Sequence, residues 1–348
     1  MFMRLKRITW GGWLAFFALL LISFPLRSYD DRSRLGPNTT SLSPGVTQNE
    51  AGSPPQSDVP VQDAVIRVDS NLVAVPVSVT DSTGRPVQNL EIGDFALEEN
   101  GRPQSVARLG EPGETPVDLA LLFDISGSTS SRFEFEQQAA SKFLKEVLRP
   151  KDAVSIFSIG PSPKLVSERT SQVPEAIASL MKIEPTKAQT AFFDSVVAAA
   201  QYLERSAARD ARRVEVVISD GEDNNSDRYT LVDSLREVQR ADCLLYSINP
   251  GGPSIRLNNI SLKGQEGMEA LATHTGGAAF LPEKIEDLTA IFARIGSELQ
   301  AQYLLGYYSS DSRKDGNFRS IQVRIPKRAG LRVRARQGYY ASGSRPSD

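Results

Sequence analysis

The stretch 117–129, VDLALLFDISGST, constrains the fold more than any other in this chain. Its apolar run, residues 119–123, is continuous rather than alternating, which fits a strand covered on both faces, as in a parallel α/β sheet. The run stops at Asp124, and the small residues Ser126, Gly127, Ser128 and Thr129 follow. Ligands of such sheets bind outside the carboxyl ends of the strands, so Asp124, Ser126 and Ser128 stand where a site forms. A carboxylate and two hydroxyls are hard oxygen donors, suited to a cation such as Mg²⁺ rather than to zinc. The competing reading is that the Ser and Thr residues cap the next helix, and D-x-S-x-S alone is short enough to recur by chance.

Strand and helix patterns alternate as far as residue 301. Strands are expected at 153–159, 213–219, 243–249 and 278–281. Helices are expected at 133–148, 173–181, 191–203, 231–241, around 268–273, and at 285–301. This order predicts a mostly parallel sheet with helices on both faces, a doubly wound Rossmann-like α/β domain over residues 112–301. The carboxyl ends of its strands share one edge. Thr190, at the start of the helix 191–203, and Asp220, at the end of the strand 213–219, therefore fall beside Asp124. Two carboxylates and three hydroxyls fit one octahedral Mg²⁺ that keeps open positions. Alone, Thr190 reads equally as a helix cap and Asp220 as a turn residue before Gly221.

The flanks have a different character. Residues 1–26 carry Arg4, Lys6 and Arg7 before an apolar run and predict a membrane anchor or signal segment, with the remainder exported. Ser, Pro and Gly dominate residues 27–62, a disordered linker. A period-two pattern at Val73, Val75, Val77 and Val79 opens an N-terminal β unit, residues 63–111, which also holds a hairpin signal at Asn100-Gly101. Short strand patterns return over 302–341, before a tail, 342–348. Neither β piece is large enough to stand alone, so the two are expected to pair into one small β-sandwich flanking the α/β domain.

Composition narrows the chemistry. Lys+Arg 40 against Asp+Glu 42 leaves a net charge of −2, without the basic excess of a nucleic-acid-binding face. The only histidine, His274, sits near a helix end as a dipole partner, so histidine-based triads and multi-histidine zinc sites find no support. Cys243, also single, reads as a buried strand residue. Glu222, Asp223 and Asp227 form either a second cation site or a solvated acidic loop.

With DISGST, KAQTAFFDS and VISDGED in place, the segment 117–301 resembles a von Willebrand factor type A domain. That family's metal-ion-dependent adhesion site, D-x-S-x-S then Thr then Asp, matches Asp124, Ser126, Ser128, Thr190 and Asp220. The resemblance implies bound Mg²⁺ or Mn²⁺ and a protein ligand that completes the metal shell with an acidic side chain; the lack of a catalytic histidine or second acid adds the expectation of a non-catalytic module. The blocks VTDSTGRPV and YLLGYY on either side look like those of a bacterial acidobacterial VWA-related family, which implies the architecture more than a role. The alternatives are a metal-dependent phosphatase-like hydrolase, against which Ser126 stands where a second acid is needed, and a structural assembly scaffold.

Overall fold

The computed structural model describes residues 72–126, 130–253, 259–341 and 343, with residues 130 and 131 in backbone only. The expected segments 1–26 and 27–62, residues 63–71 of the N-terminal β unit, Ser128, and all of the tail 342–348 except Gly343 lie outside the described residues. Among the described residues no helix is long and apolar enough to cross a membrane.

Among the described residues, fourteen strands and six α-helices follow one another in chain order. The first four strands are β1 (Leu72–Thr80), β2 (Ala96–Glu99), β3 (Arg102–Gln104) and β4 (Val106–Gly110). Next come β5 (Val117–Asp124), α1 (Ser130–Val147), β6 (Ala153–Ile159), β7 (Lys164–Thr170), α2 (Val173–Leu180) and α3 (Phe192–Ser206). The chain continues through β8 (Arg212–Ile218), α4 (Leu231–Arg240), β9 (Cys243–Ile248), α5 (Asn259–Thr275), β10 (Ala279–Phe280) and α6 (Leu288–Ala301). It ends in β11 (Tyr303–Tyr308), β12 (Phe318–Arg324), β13 (Arg332–Ala335) and β14 (Gly338–Tyr340).

A six-stranded sheet of order β10-β9-β8-β5-β6-β7 lies at the centre, parallel except for β7. Every residue of β5 is buried, as its unbroken apolar run requires. Leu119, Leu121 and Phe123 point into one core with α1, α2 and α6, while Ala120 and Leu122 point into a second core with α3, α4 and α5. This is the doubly wound α/β arrangement, and it sets β5 in the middle with Asp124 at its carboxyl end.

The flanking segments build two four-stranded antiparallel sheets, β13-β1-β11-β4 and β14-β12-β2-β3. Each sheet takes strands from both ends of the described chain; β1, for example, pairs with β11 in the register Val75↔Leu305. The alternating valines of β1 share one apolar cluster with Leu97, Tyr303, Leu305, Tyr307 and Ile321. Tyrosine hydroxyls of β11 add polar ties: Tyr307 donates to Glu99 Oε2 of the other sheet at 2.6 Å, and Tyr303 to the Val87 carbonyl in the loop after β1 at 3.2 Å.

Three features differ from the pattern-based expectation. The hairpin at Asn100-Gly101 forms, with Gly101 at φ 73°, but its return strand ends at Gln104. The chain then crosses at Ser105 into β4 of the other sheet. β7 was not expected; its polar sequence KLVSERT lacks alternation because it is an antiparallel edge strand, the position where charged side chains discourage further pairing. The helix expected over 285–301 begins as a 3₁₀ turn, Ile285–Asp287, before α6.

Candidate metal site

At the carboxyl edge of the central sheet a cavity of about 650 Å³ is lined by Asp124, Ser126, Thr190 and Asp220, with Arg132, Glu136 and Ser219 on its walls. Four of the five residues singled out from the sequence thus meet in one place; the fifth, Ser128, lies outside the described residues. They arrive on three segments: the end of β5, the chain just before α3, and the end of β8.

Asp124 is held from both sides. Its Oδ1 accepts the backbone N–H of Ser126 at 2.9 Å, and its Oδ2 accepts the Ser219 hydroxyl at 2.5 Å. The Ser219 oxygen in turn accepts the N–H of Gly221 at 2.9 Å, so one hydroxyl links the ends of β5 and β8. Burial pushes the Asp124 carboxyl up to about 6, against these hydrogen bonds and with added repulsion from Asp220. A cation bound beside it would reverse that shift.

Asp220 stands at the solvent-open mouth, also with a raised pKa, first from the protein packed around it and then from Glu222. Its Oδ1 accepts the N–H of Glu222 at 3.0 Å, so it does serve as a turn residue. The turn depends on a close approach of two backbones. Gly221 has φ 76°, and a Cβ built on it falls 2.6 Å from the carbonyl oxygen of Gly264; one on Gly264 falls 2.6 Å from Gly221. With two glycines, α5 rests directly on the loop that carries Asp220.

Thr190 is 3 % exposed and its hydroxyl does not cap α3: the cap position is Ala191, without a side-chain cap bond. The helix end is satisfied from a distance by the loop after β8. Asp223 accepts the N–H of Phe192 at 2.8 Å and the Ser226 hydroxyl at 2.6 Å, and Ser226 Oγ accepts the N–H of Asp194 at 3.1 Å. Thr190 itself is clamped by Asn224, whose Oδ1 accepts its N–H at 2.8 Å and whose N–H donates to its carbonyl at 3.1 Å. Within the acidic run, then, Asp223 caps a helix and Glu222 accepts a bond from Ser261.

Sequence reasoning missed Ser219, Asn224 and the pair Arg132–Glu136. Glu136 lies one turn beyond Arg132 on α1, 3.1 Å from its Nε, and burial pushes its carboxyl up to about 7 despite that arginine, with Asp124 and Asp220 adding repulsion. A glutamate between Phe133 and Ala140 at helical spacing, with an arginine four residues before it, is the signal that could have found the pair. No group of three or more His, Cys, Asp or Glu side chains able to hold a metal occurs among the described residues. His274 ends α5 with Nδ1 2.7 Å from the Ala270 carbonyl, away from this cavity, and Cys243 is buried in β9.

Among solved structures, an aerotolerance-related membrane protein of Bacteroides fragilis, carrying multiple mutations to serine, is similar at 18 % identity and a TM-score of 0.42, covering 53 % of this chain and 98 % of that one. The conserved hypothetical protein BatB of Bacteroides thetaiotaomicron is 20 % identical with a TM-score of 0.41, over 52 % of this chain and 98 % of that one. Proximal thread matrix protein 1 from the mussel byssus, with a zinc-occupied MIDAS motif, is 11 % identical with a TM-score of 0.43, over 58 % and 49 % of the two chains. No curated protein is significantly similar in sequence. Residues 119–222 match the family model described as von Willebrand factor type A domain, and this chain carries a von Willebrand factor type A domain.

Proposed function

We propose that the chain is a non-catalytic, divalent-metal-dependent protein-binding module. The observation that supports this reading is the convergence of Asp124, Ser126, Thr190 and Asp220, from three separate segments, on one open cavity. Carboxylate and hydroxyl oxygens suit Mg²⁺ or Mn²⁺. Asp124, Ser126, Thr190 and Asp220, with Ser128, would hold the ion, which when bound supplies an open coordination position for an acidic side chain of a partner protein. The protein's own part is positional: Ser219 orients Asp124, Asn224 fixes Thr190, and the Gly221–Gly264 contact sets the loop of Asp220. The segment 1–26 would display this module on the outer side of the cytoplasmic membrane.

Calorimetry with Mg²⁺ and Mn²⁺ tests the reading, together with capture of partners in Mg²⁺ by the wild type and by Asp124→Ala. The expected result is metal binding and metal-dependent capture that both vanish in the variant while its circular dichroism is unchanged. A wild type without measurable affinity for either ion would remove the basis of the proposal.

A hydrolase remains the second reading because Glu136, a buried carboxyl raised to about 7, lines the same cavity as Asp124. Such a group is poised as a general acid near neutral pH. Metal-dependent phosphatase turnover that is lost in Glu136→Gln would favour it.

A further inference from the structure

A second cavity, of about 440 Å³, lies at the other edge of the central sheet. Its walls come from the chain just before β5, β8 and β9 and from strands β1, β4 and β11 of the antiparallel part. It is thus remote from Asp124, which sits at the carboxyl ends of the same strands.

Five arginines line it, Arg108, Arg209, Arg212, Arg213 and Arg336, against three acids, Glu114, Asp210 and Asp242. Of these, one ion pair forms, Arg336 with Asp242. Arg212 is 7 % exposed. Its guanidinium donates only to neutral oxygens: Gln302 Oε1 at 2.7 Å and the carbonyls of Leu299 at 3.0 Å and Thr115 at 3.5 Å. Arg213 reaches the Ala241 carbonyl at 2.7 Å and likewise has no carboxylate partner. Every buried side-chain nitrogen without a hydrogen-bond partner among the described residues is the Nε of an arginine lining this cavity: Arg212, Arg213 and Arg336.

A guanidinium withdrawn from water without a counter-ion is strongly unfavourable unless an anion joins it. Burial also shifts Arg212 away from its charged form despite the nearby charge of Asp152, with which it forms no ion pair, and this is the direction an added anion would correct. Planar guanidinium forks recognise carboxylate and phosphate oxygens in pairs, and the charge argument applies to both. Apolar residues line it as well, among them Pro76 of β1 and Leu304 of β11. The volume falls within the range of about 300–1,000 Å³ typical of small-molecule pockets.

We propose that this cavity binds a small organic oxyanion, a carboxylate or phosphate carried on an apolar body, through Arg212 and Arg213. The site is independent of the metal-binding reading. Isothermal titration of the full-length chain in EDTA, with phenyl phosphate, benzoate and inorganic phosphate as probes and benzamide as the neutral control, tests it. EDTA leaves no cation at Asp124 to which an anion could add.

The expected result is sub-millimolar binding of phenyl phosphate or benzoate, whichever headgroup the arginines prefer, and none of benzamide. Inorganic phosphate should bind more weakly than phenyl phosphate, because it leaves the apolar lining uncovered. Arg213→Gln should weaken the bound probe at least tenfold with an unchanged melting temperature. Arg212→Gln should do the same if it folds; Arg213→Gln decides the matter if it does not. Absence of binding by all three anions, benzamide binding as well as benzoate, or affinity unchanged in Arg213→Gln would each overturn the proposal.

Discussion

Glu215 offers the sharpest physical test of this fold. It sits in the middle of β8, between Ala120 of β5 and Leu245 of β9, and is 0 % exposed. Neither carboxyl oxygen has a hydrogen-bond partner. Burial alone raises its pKa well above the ordinary range of a glutamate, so the folded chain keeps it neutral where the unfolded chain ionises it. The sign follows from proton linkage: the folded state holds the proton more tightly, so stability is full below the unfolded pKa and falls as pH rises toward the folded one. While the buried group stays neutral, each pH unit above the unfolded pKa costs about 1.4 kcal/mol. Glu215→Gln removes the titration and keeps the shape. Its stability should match the wild type near pH 4 and exceed it by an amount that grows as pH rises, at about 1.4 kcal/mol for each unit over which the buried acid stays neutral. Glu215→Leu should gain a further amount of about 1–3 kcal/mol at all pH values, since it also removes a buried polar group without a partner. Urea unfolding followed by circular dichroism at pH 5, 6, 7 and 8 measures both. If the wild type and Glu215→Gln show parallel pH profiles, or if the variant is the less stable at pH 7, the burial of an unpartnered acid is wrong.

Three further perturbations address the site and its frame. Ser219→Ala removes the hydroxyl that orients Asp124 and should lower Mg²⁺ or Mn²⁺ affinity by about 10–100-fold in calorimetry, the usual effect of losing a group that holds a ligand in place. Gly264→Ala sets a Cβ 2.6–2.8 Å from backbone atoms of Gly221 and Glu222, which cannot rotate away; a loss of about 1–3 kcal/mol in urea unfolding is expected, with weaker metal binding. Asp118→Asn weakens a buried carboxylate that accepts Arg169 at 2.8 and 3.3 Å and the Ala208 N–H at 2.7 Å. Because Arg169 is about one-third open to water, the expected loss is about 2–3 kcal/mol, below the full cost of breaking a buried pair, and amide hydrogen exchange should report early opening of β7.

The central sheet was legible because its signals are local. The apolar run 119–123 carries partners on both faces of one strand, and Asp124 marks where that strand ends at the cavity. Thr190 and Asp220 could be placed beside it because strands of a doubly wound sheet end on a common edge. The alternating valines of β1 likewise announced one buried face. β7 was illegible since an edge strand buries too little to leave a pattern. The crossing at Ser105 was hidden for another reason: which sheet a strand joins depends on partners two hundred residues away, here Tyr307 and Gly306 for β4.

By itself, then, the sequence determined the order of the helices and of the buried strands, the burial of β5 on both faces, and the oxygen-bearing side chains at its end, because hydrophobic period and strand-end chemistry act over a few residues. Tertiary structure alone decided that Ser219 secures Asp124, that Asp223 rather than Thr190 caps α3, and that Gly221 and Gly264 meet. It also gathered arginines from β4, β8 and the C-terminal strands around one cavity. The contacts at the Asp124 site rest on atoms brought together across 31 to 95 residues of chain, and the arginine cavity on a wider span still. Their hydrogen bonds, desolvation and close contacts exist only once the sheets have packed.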